Sequence, residues 1–185
     1  MDKRSAQIAT VCQCIDHCFA FAVFCEDFVR LADPEDMMSG LDRTVDIVSD
    51  ATRLHSFLAL RKMDEFFRGA KRSKDDVIAT DLDIEPLKVL GEVGSNFLTT
   101  TEREDINKGA AHLTERLFLD PDSEVGLDEI LKRSLPVFER LSAELRKVDA
   151  TKEASPWLDK TDALLKRVVE NAKRKQTETE ASVLR

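Results

Sequence analysis

The sequence contains no tyrosine, one tryptophan, six glycines and five prolines among its 185 residues. Glycine and proline are the residues that most often interrupt helices, so their scarcity leaves room for long helical segments. Leucine, alanine, glutamate, lysine and arginine, which have high helix propensity, are abundant instead. The composition therefore predicts an all-α fold, and the chain is long enough for one domain to bury a hydrophobic core.

The sequence also has fewer positively charged than negatively charged side chains. The 28 lysines and arginines are outnumbered by 36 aspartates and glutamates, which gives a net charge of −8. This excess argues against a general nucleic-acid coat protein, because such a protein needs a positive surface. No Gly-rich phosphate loop, Gly-x-Ser-x-Gly elbow or Cys-x-x-Cys pair occurs, so the usual sequence patterns of P-loop ATPases, α/β hydrolases and zinc fingers are missing.

All four cysteines, Cys12, Cys14, Cys18 and Cys25, lie within the first 25 residues. One helix would hold them too rigidly to pair as disulfides, which favours a reducing compartment. Cys14, His17 and Cys18 share one helical face, and a zinc or haem site there is the alternative. Because no second pair of cysteine or histidine ligands stands elsewhere in the sequence, we expect no bound metal or cofactor.

The apolar start of the chain is only superficially similar to a signal peptide or a membrane span. Gln13, Asp16 and His17 interrupt the apolar run below the length that a span needs, and no small-residue cleavage pattern is evident. We therefore predict a cytoplasmic protein without membrane association, in which residues 5–31 form the first helix. Since that helix is apolar on most faces, it is expected at the centre of a bundle or in a dimer interface.

Hydrophobic residues recur with helical spacing through most of the chain. The predicted architecture is an up-and-down bundle of four to five helices, in a single domain at 1–175, followed by a disordered tail at 176–185. A short additional helix is predicted near Pro86. The predicted helices cover residues 5–31, 41–68, 84–93, 101–118 and 124–149, with a last helix from Ser155.

Three local signals mark the predicted helix ends. Gly69 is placed to end the second long helix, as a C-terminal glycine often does. Asp83 is the expected cap of the short helix that has Pro86 in its first turn. Thr101 and Glu104 have the spacing of a reciprocal capping box at the start of the third long helix.

Residues 61–74 concentrate positive charge in this acidic protein, with six lysines and arginines and two acidic residues. Arg61 and Arg68 are seven residues apart and share a helix face, where they are candidate substrate-binding residues together with His55. Two alternatives remain. An arginine paired with Asp64 would simply brace the bundle, and His55 would be a hydrogen-bonded core residue.

A polar ridge is predicted along the helix at 101–118. Asp105, Lys108, His112 and Arg116 recur at positions i, i+3, i+7 and i+11, so they lie on one face. A histidine between two cations is suited to phosphodiester chemistry, because it can move a proton while the cations hold the phosphate. The alternative is a solvated ridge without a chemical role.

The stretch INKGAAHLT, which follows TERED, resembles the C-terminal helix motif of HEPN domains (higher eukaryotes and prokaryotes nucleotide-binding). LALRKMDEFFRG and the later DDVIATD resemble the preceding part of bacterial abortive-infection-type members, so the resemblance covers roughly residues 45–118. It implies a helical bundle that usually dimerises. Many family members are metal-independent RNases whose paired motifs form one site across the dimer, and others bind nucleotides or protein partners without catalysis.

The family signature is an arginine, four to six variable residues and then a histidine, often with a polar residue directly after the arginine. His112 matches the motif histidine, Asn107 occupies the arginine position, and Lys108 occupies the polar position. Asn107 cannot supply the fixed charge that orients a phosphate, although Lys108 is a candidate substitute. Arg103 is too far upstream and on a different helix face to replace it.

Two hypotheses of function follow. The first is a HEPN-like homodimer that interacts with RNA or a nucleotide, as a metal-independent endoribonuclease of a bacterial defence or toxin–antitoxin system. In that hypothesis His112, Lys108 and Asn107 form the catalytic site, and Arg61, Arg68, Arg116 and His55 bind substrate. The alternative is a noncatalytic helical module that engages a protein partner, which the asparagine at the motif position favours.

Overall fold

The computed structural model describes residues 1–31, 42–111 and 126–183. Those residues form α-helices and short 3-10 turns and contain no strand, which confirms the predicted all-α class. The described ranges hold seven helices, one more than the five long helices and the short helix near Pro86 that were predicted, because the predicted first helix is broken in two. The helices are α1 Lys3–Cys18, α2 Ala20–Leu31, α3 Asp42–Arg68, α4 Pro86–Leu90, α5 Thr100–Ala111, α6 Leu127–Val148 and α7 Ser155–Val183.

The predicted single helix at 5–31 is interrupted at Phe19, between α1 and α2. A buried side chain of α3 holds this break: the Ser56 hydroxyl donates to the His17 carbonyl at 3.2 Å and accepts from the Phe21 amide at 3.1 Å. Ser56 therefore satisfies backbone groups that an uninterrupted helix would pair internally. Because Ser56 is distant in sequence, the local hydrophobic pattern gives no sign of the break.

α1 lies at the centre of the bundle, the first of the two positions predicted for the apolar N-terminal helix. It contacts α3, α6 and α7, and Ile8 and Ile15 are fully buried. Aromatic rings continue the core from the break after α1 to α6 and to the residues before α5. The ring centroids of Phe19 and Phe138 are 5.8 Å apart, and those of Phe138 and Phe97 are 5.5 Å apart.

The connection between α3 and α5 is compact and irregular. α3 ends at Gly69, which adopts φ +69°, as predicted from its position. The prediction that Asp83 caps α4 is wrong: Asp83 has φ 57° and ends the 3-10 turn Ala79–Leu82, while Glu85 precedes α4. The Ile84 amide donates a hydrogen bond to the Ala79 carbonyl at 3.0 Å, which closes the 3-10 turn. Asp83 is thereby part of the end of that turn and does not cap α4.

The two long helices after residue 126 are α6 and α7, which contact each other and α1. Pro136 lies inside α6, and Ser155 and Pro156 are the first residues of α7. α7 continues to Val183, into the tail predicted to be disordered from residue 176. None of the helices in the described ranges combines the length and apolar character needed to cross a membrane.

We predict that Phe138→Ala lowers the free energy of unfolding by about 3–5 kcal/mol, because it leaves a cavity between two buried rings. Phe138 is 0% exposed. Urea denaturation followed by circular dichroism measures the change. The matched control is Leu87→Ala, a truncation at a side chain that is 61% exposed. Equal, small effects of the two substitutions would contradict the position of Phe138 in the core.

Candidate functional site

The site predicted from the sequence centres on α5 and the segment that follows it. Asn107 is a half-buried residue of α5. His112 and Arg116 lie outside the described residues, as does the side chain of Lys108. The described part of the site is therefore the set of side chains that fix α5 against α3 and α6.

α5 begins with a reciprocal capping box, but the predicted one at Thr101 and Glu104 is displaced. The Thr99 hydroxyl accepts from the Glu102 amide at 3.2 Å, and the Glu102 carboxylate accepts from the Thr99 amide at 2.8 Å. The sequence TTTERE offers two Thr-x-x-Glu frames, and the earlier one is used. Glu102 also pairs with Arg133 on α6, which favours that frame.

Arg133 of α6 binds the Glu102 carboxylate through both terminal nitrogens, at 2.9 and 2.8 Å. The same guanidinium donates to the Phe97 carbonyl at 3.2 Å, just before α5. Partial burial alone would raise the pKa of Glu102, but the hydrogen bonds from Arg133 and Thr99 outweigh it and lower that pKa. The capping box and the ion pair thus fix the first turn of α5 against α6.

The next residue, Arg103, fixes the opposite side of α5 against α3. Its guanidinium donates to the Asp64 carboxylate at 2.7 and 3.0 Å and to the Leu98 carbonyl at 3.0 Å. Asp64, only 1% exposed, also accepts from the Leu98 amide at 3.3 Å and pairs with Arg68 at 3.2 Å. The bond to Asp64 raises the pKa of Arg103. We name Asp64, Arg68 and Arg103 the Asp64 cluster.

The two α3 arginines that were predicted to bind substrate both have carboxylate partners. Arg68 pairs with Asp64 in the Asp64 cluster, the bracing role given above as the alternative. Arg61 lies 3.3 Å from Glu65, and that same carboxylate binds Arg72 at 2.6 Å. These ion pairs hold the two guanidiniums on α3 and reduce their attraction for a phosphate.

His55, the third predicted substrate-binding residue on α3, is exposed and contacts α1. Its ring centroid lies 4.3 Å from that of His17, with the ring planes tilted by 59°. The alternative of a buried core histidine does not describe it. Burial and the neighbouring His55 lower the pKa of His17, which favours its neutral form.

Asn107 combines burial with an unsatisfied hydrogen-bonding group. Its Oδ1 atom is buried and has no hydrogen-bond partner within the described structure. The Ile106 side chain next to it is 2% exposed, so this part of α5 packs against the core. Buried amide oxygens nearly always accept a hydrogen bond, and exceptions are typical of places where water or a ligand binds. Asn107 Oδ1 shares this unpaired state with Arg4 Nε, Arg133 Nε and Asp149 Oδ2, so it offers an acceptor to a water molecule or a ligand without singling out a ligand.

The cysteines are free thiols in different surroundings. Burial raises the pKa of Cys12 to about 12, whereas the Cys18 thiol hydrogen-bonds Cys14 and lowers the pKa of Cys14. Across 1–31, 42–111 and 126–183, no three histidine, cysteine or acidic side chains are grouped so that they could hold a metal ion. The alternative of a zinc site on Cys14, His17 and Cys18 thus gains no support from the described residues.

Comparison of the chain with protein families, with curated proteins and with solved structures finds no match in any of the three. A proposal of function for this chain therefore depends on its own residues and on the resemblance of the stretch INKGAAHLT to the HEPN motif.

The residues that hold α5 were mostly missed by sequence reasoning. Glu102 has the required Thr-x-x-Glu spacing, and Asp64 and Arg68 have the i, i+4 spacing of a helical ion pair, so both carried a local signal. Arg103 and Arg133 reach their partners across 39 and 31 residues, and no local pattern indicates those contacts.

We predict that Glu102→Gln lowers the melting temperature at pH 7 by roughly 2–4 °C, corresponding to about 1 kcal/mol for a solvent-screened charged hydrogen bond. Because the pKa of Glu102 is lowered on folding, its stabilisation is present above the ordinary value of 4.5 and is lost as the pH falls below it. The difference between the wild type and the variant should therefore shrink in acid.

Thermal denaturation between pH 3 and pH 7 measures this dependence. Glu92→Gln, at an exposed residue of the connection before α5, is the matched control and should leave the melting temperature unchanged. A difference between wild type and Glu102→Gln that stays constant down to pH 3 would contradict the role of the Arg133 pair.

Proposed function

We propose that this chain is a HEPN-like homodimer that binds RNA or a nucleotide through Asn107, Lys108 and the following residues His112 and Arg116. The observation that supports this proposal is the unsatisfied Oδ1 of Asn107 on a helix fixed from two sides. A shift of the Asn107 side chain that exposes Oδ1 would let a ribose hydroxyl or a nucleobase amino group supply the missing donor. The resemblance assigns the same segment to the family site.

The ion pairs of the described side chains affect which residues are assigned to phosphate binding. Arg61 and Arg72 share the Glu65 carboxylate, and Arg68 and Arg103 share Asp64, so each group keeps one net positive charge. Because these arginines are already held in ion pairs, we place phosphate binding first on Lys108 and Arg116. His55 contacts His17 and is left out of the binding surface.

Catalysis is the stronger form of the proposal. His112 would take the proton from a ribose 2′-hydroxyl and Lys108 would stabilise the charge that develops on the phosphate, so that no metal ion is needed. Asn107 lacks the charge of the family arginine, so it would position the substrate rather than stabilise the transition state.

The second candidate function is a noncatalytic module that binds a protein partner. Val48 and Leu58, two apolar side chains of α3, are each 38% exposed. This exposed apolar surface is the observation that favours a protein partner.

Fluorescence anisotropy with labelled single-stranded RNA tests the binding proposal. We expect Asn107→Ala to weaken binding roughly fivefold, the effect of losing one hydrogen bond of about 1 kcal/mol. Asn96→Ala, at an exposed asparagine before α5, is the matched control and should bind as the wild type does. Absence of RNA or mononucleotide binding, or equal effects of the two substitutions, would contradict the proposal and leave the protein-binding module.

RNA cleavage in the presence of a chelator tests the catalytic form separately. Cleavage that persists with chelator and disappears in His112→Ala supports it. Binding without cleavage by the wild type restricts the function to binding. Cleavage that His112→Ala retains would indicate a contaminating nuclease or a different site.

A further inference from the structure

The His17–His55 pair lies at the break between α1 and α2 and has no part in the function proposed for α5. His17 is the second-last residue of α1, and its carbonyl accepts the Ser56 hydroxyl that also binds the Phe21 amide. His55 precedes Ser56 on α3. We name the contacts among His17, Phe21, His55 and Ser56 the α1–α2 joint. The imidazole pair and the hydrogen bonds that bridge the break therefore belong to the same four residues.

The contact between the two imidazole rings is favourable only while the rings are not both protonated. Two neutral imidazoles with centroids 4.3 Å apart can pack, whereas two imidazolium ions at that separation repel each other. Ser56 is 0% exposed, so the bridge next to these rings has little access to water while the joint is closed. Separation of the rings by a movement of α1 relative to α3 would weaken both hydrogen bonds of Ser56.

The surrounding charges mostly add to this repulsion. Lys62 of α3 and Lys160 of α7 act on His17 in the same direction as His55, and together with burial they lower its pKa. Asp16 of α1 raises the pKa of His17, but its carboxylate already pairs with Lys160 at 3.2 Å and accepts a hydrogen bond from the Thr161 hydroxyl at 2.9 Å. The negative end of α1 also favours a cation at His17. The net result still disfavours the protonated ring.

The other elements at the joint contribute little charge. Cys14 lies one turn before Cys18 on α1, and its thiol donates to the Ala59 carbonyl of α3 at 3.5 Å. The described side chains of α2, at 20–25, include one titratable group, Cys25.

We propose that the His17–His55 pair is a pH-sensitive contact that keeps the α1–α2 joint closed while the His17 ring is neutral and opens it when His17 is protonated against His55. The sign follows from the lowered pKa of His17: the folded joint binds fewer protons than the open one below the ordinary value of 6.5. The joint is therefore closed above about pH 6.5 and weakens as the pH falls.

Amide hydrogen exchange at Phe21, read by NMR as a protection factor corrected for intrinsic exchange, tests the proposal. Between pH 7.5 and 5 we expect Phe21 protection in the wild type to fall by about tenfold, equivalent to about 1.4 kcal/mol. His55→Gln, which cannot be protonated, should lose less than half of that. Because the chain has three histidines, His112→Gln is the matched control and should keep the full pH dependence.

The amides of α6 distinguish local opening from acid unfolding. In a local opening, Phe21 loses protection while the amide of Ile130, bonded to the Gly126 carbonyl at 3.0 Å, keeps it. Equal loss at both amides would overturn the proposal, as would the same pH dependence in wild type and His55→Gln. Circular dichroism at pH 5 establishes that the variants compared are folded.

Discussion

The Asp64 carboxylate lies in the core between α3 and the start of α5, where an unpaired charge would be strongly destabilising. It is compensated by Arg103 and Arg68 and by the Leu98 amide. Because two of these partners belong to the chain around α5, folding that satisfies Asp64 also sets the position of α5. Glu102 supplies a second attachment on the other side, and the segment with Asn107 follows one turn later.

The sequence was sufficient for the helical class and for features governed by local chemistry. The bounds of α3 follow from hydrophobic spacing, and its end follows from the need for positive φ at Gly69. It was insufficient where a distant residue decides between local alternatives. The break at Phe19 depends on the buried hydroxyl of Ser56, and the choice of capping frame coincides with the contact between Glu102 and Arg133.

The candidate site shows the same division between local and distant information. Charge spacing identified Arg68 and Asp64 as neighbours, but only the fold shows that Arg103 binds the same carboxylate from α5. A helical pattern likewise places His17 on a predicted face without revealing that His55 lies against it. The polar ridge predicted at 101–118 therefore identifies a segment to test. Burial and ion pairs decide which of the side chains are available to a ligand.

A double-mutant cycle between Asp64 and Arg103 tests most directly whether this buried pair positions α5. The cycle compares Asp64→Asn, Arg103→Gln and the double variant by urea unfolding, with amide exchange in α5 as the local measure. The account predicts a coupling free energy of about 2 kcal/mol or more and a common loss of α5 protection in all three variants. Additive effects on stability, with α5 protection retained in the single variants, would contradict it.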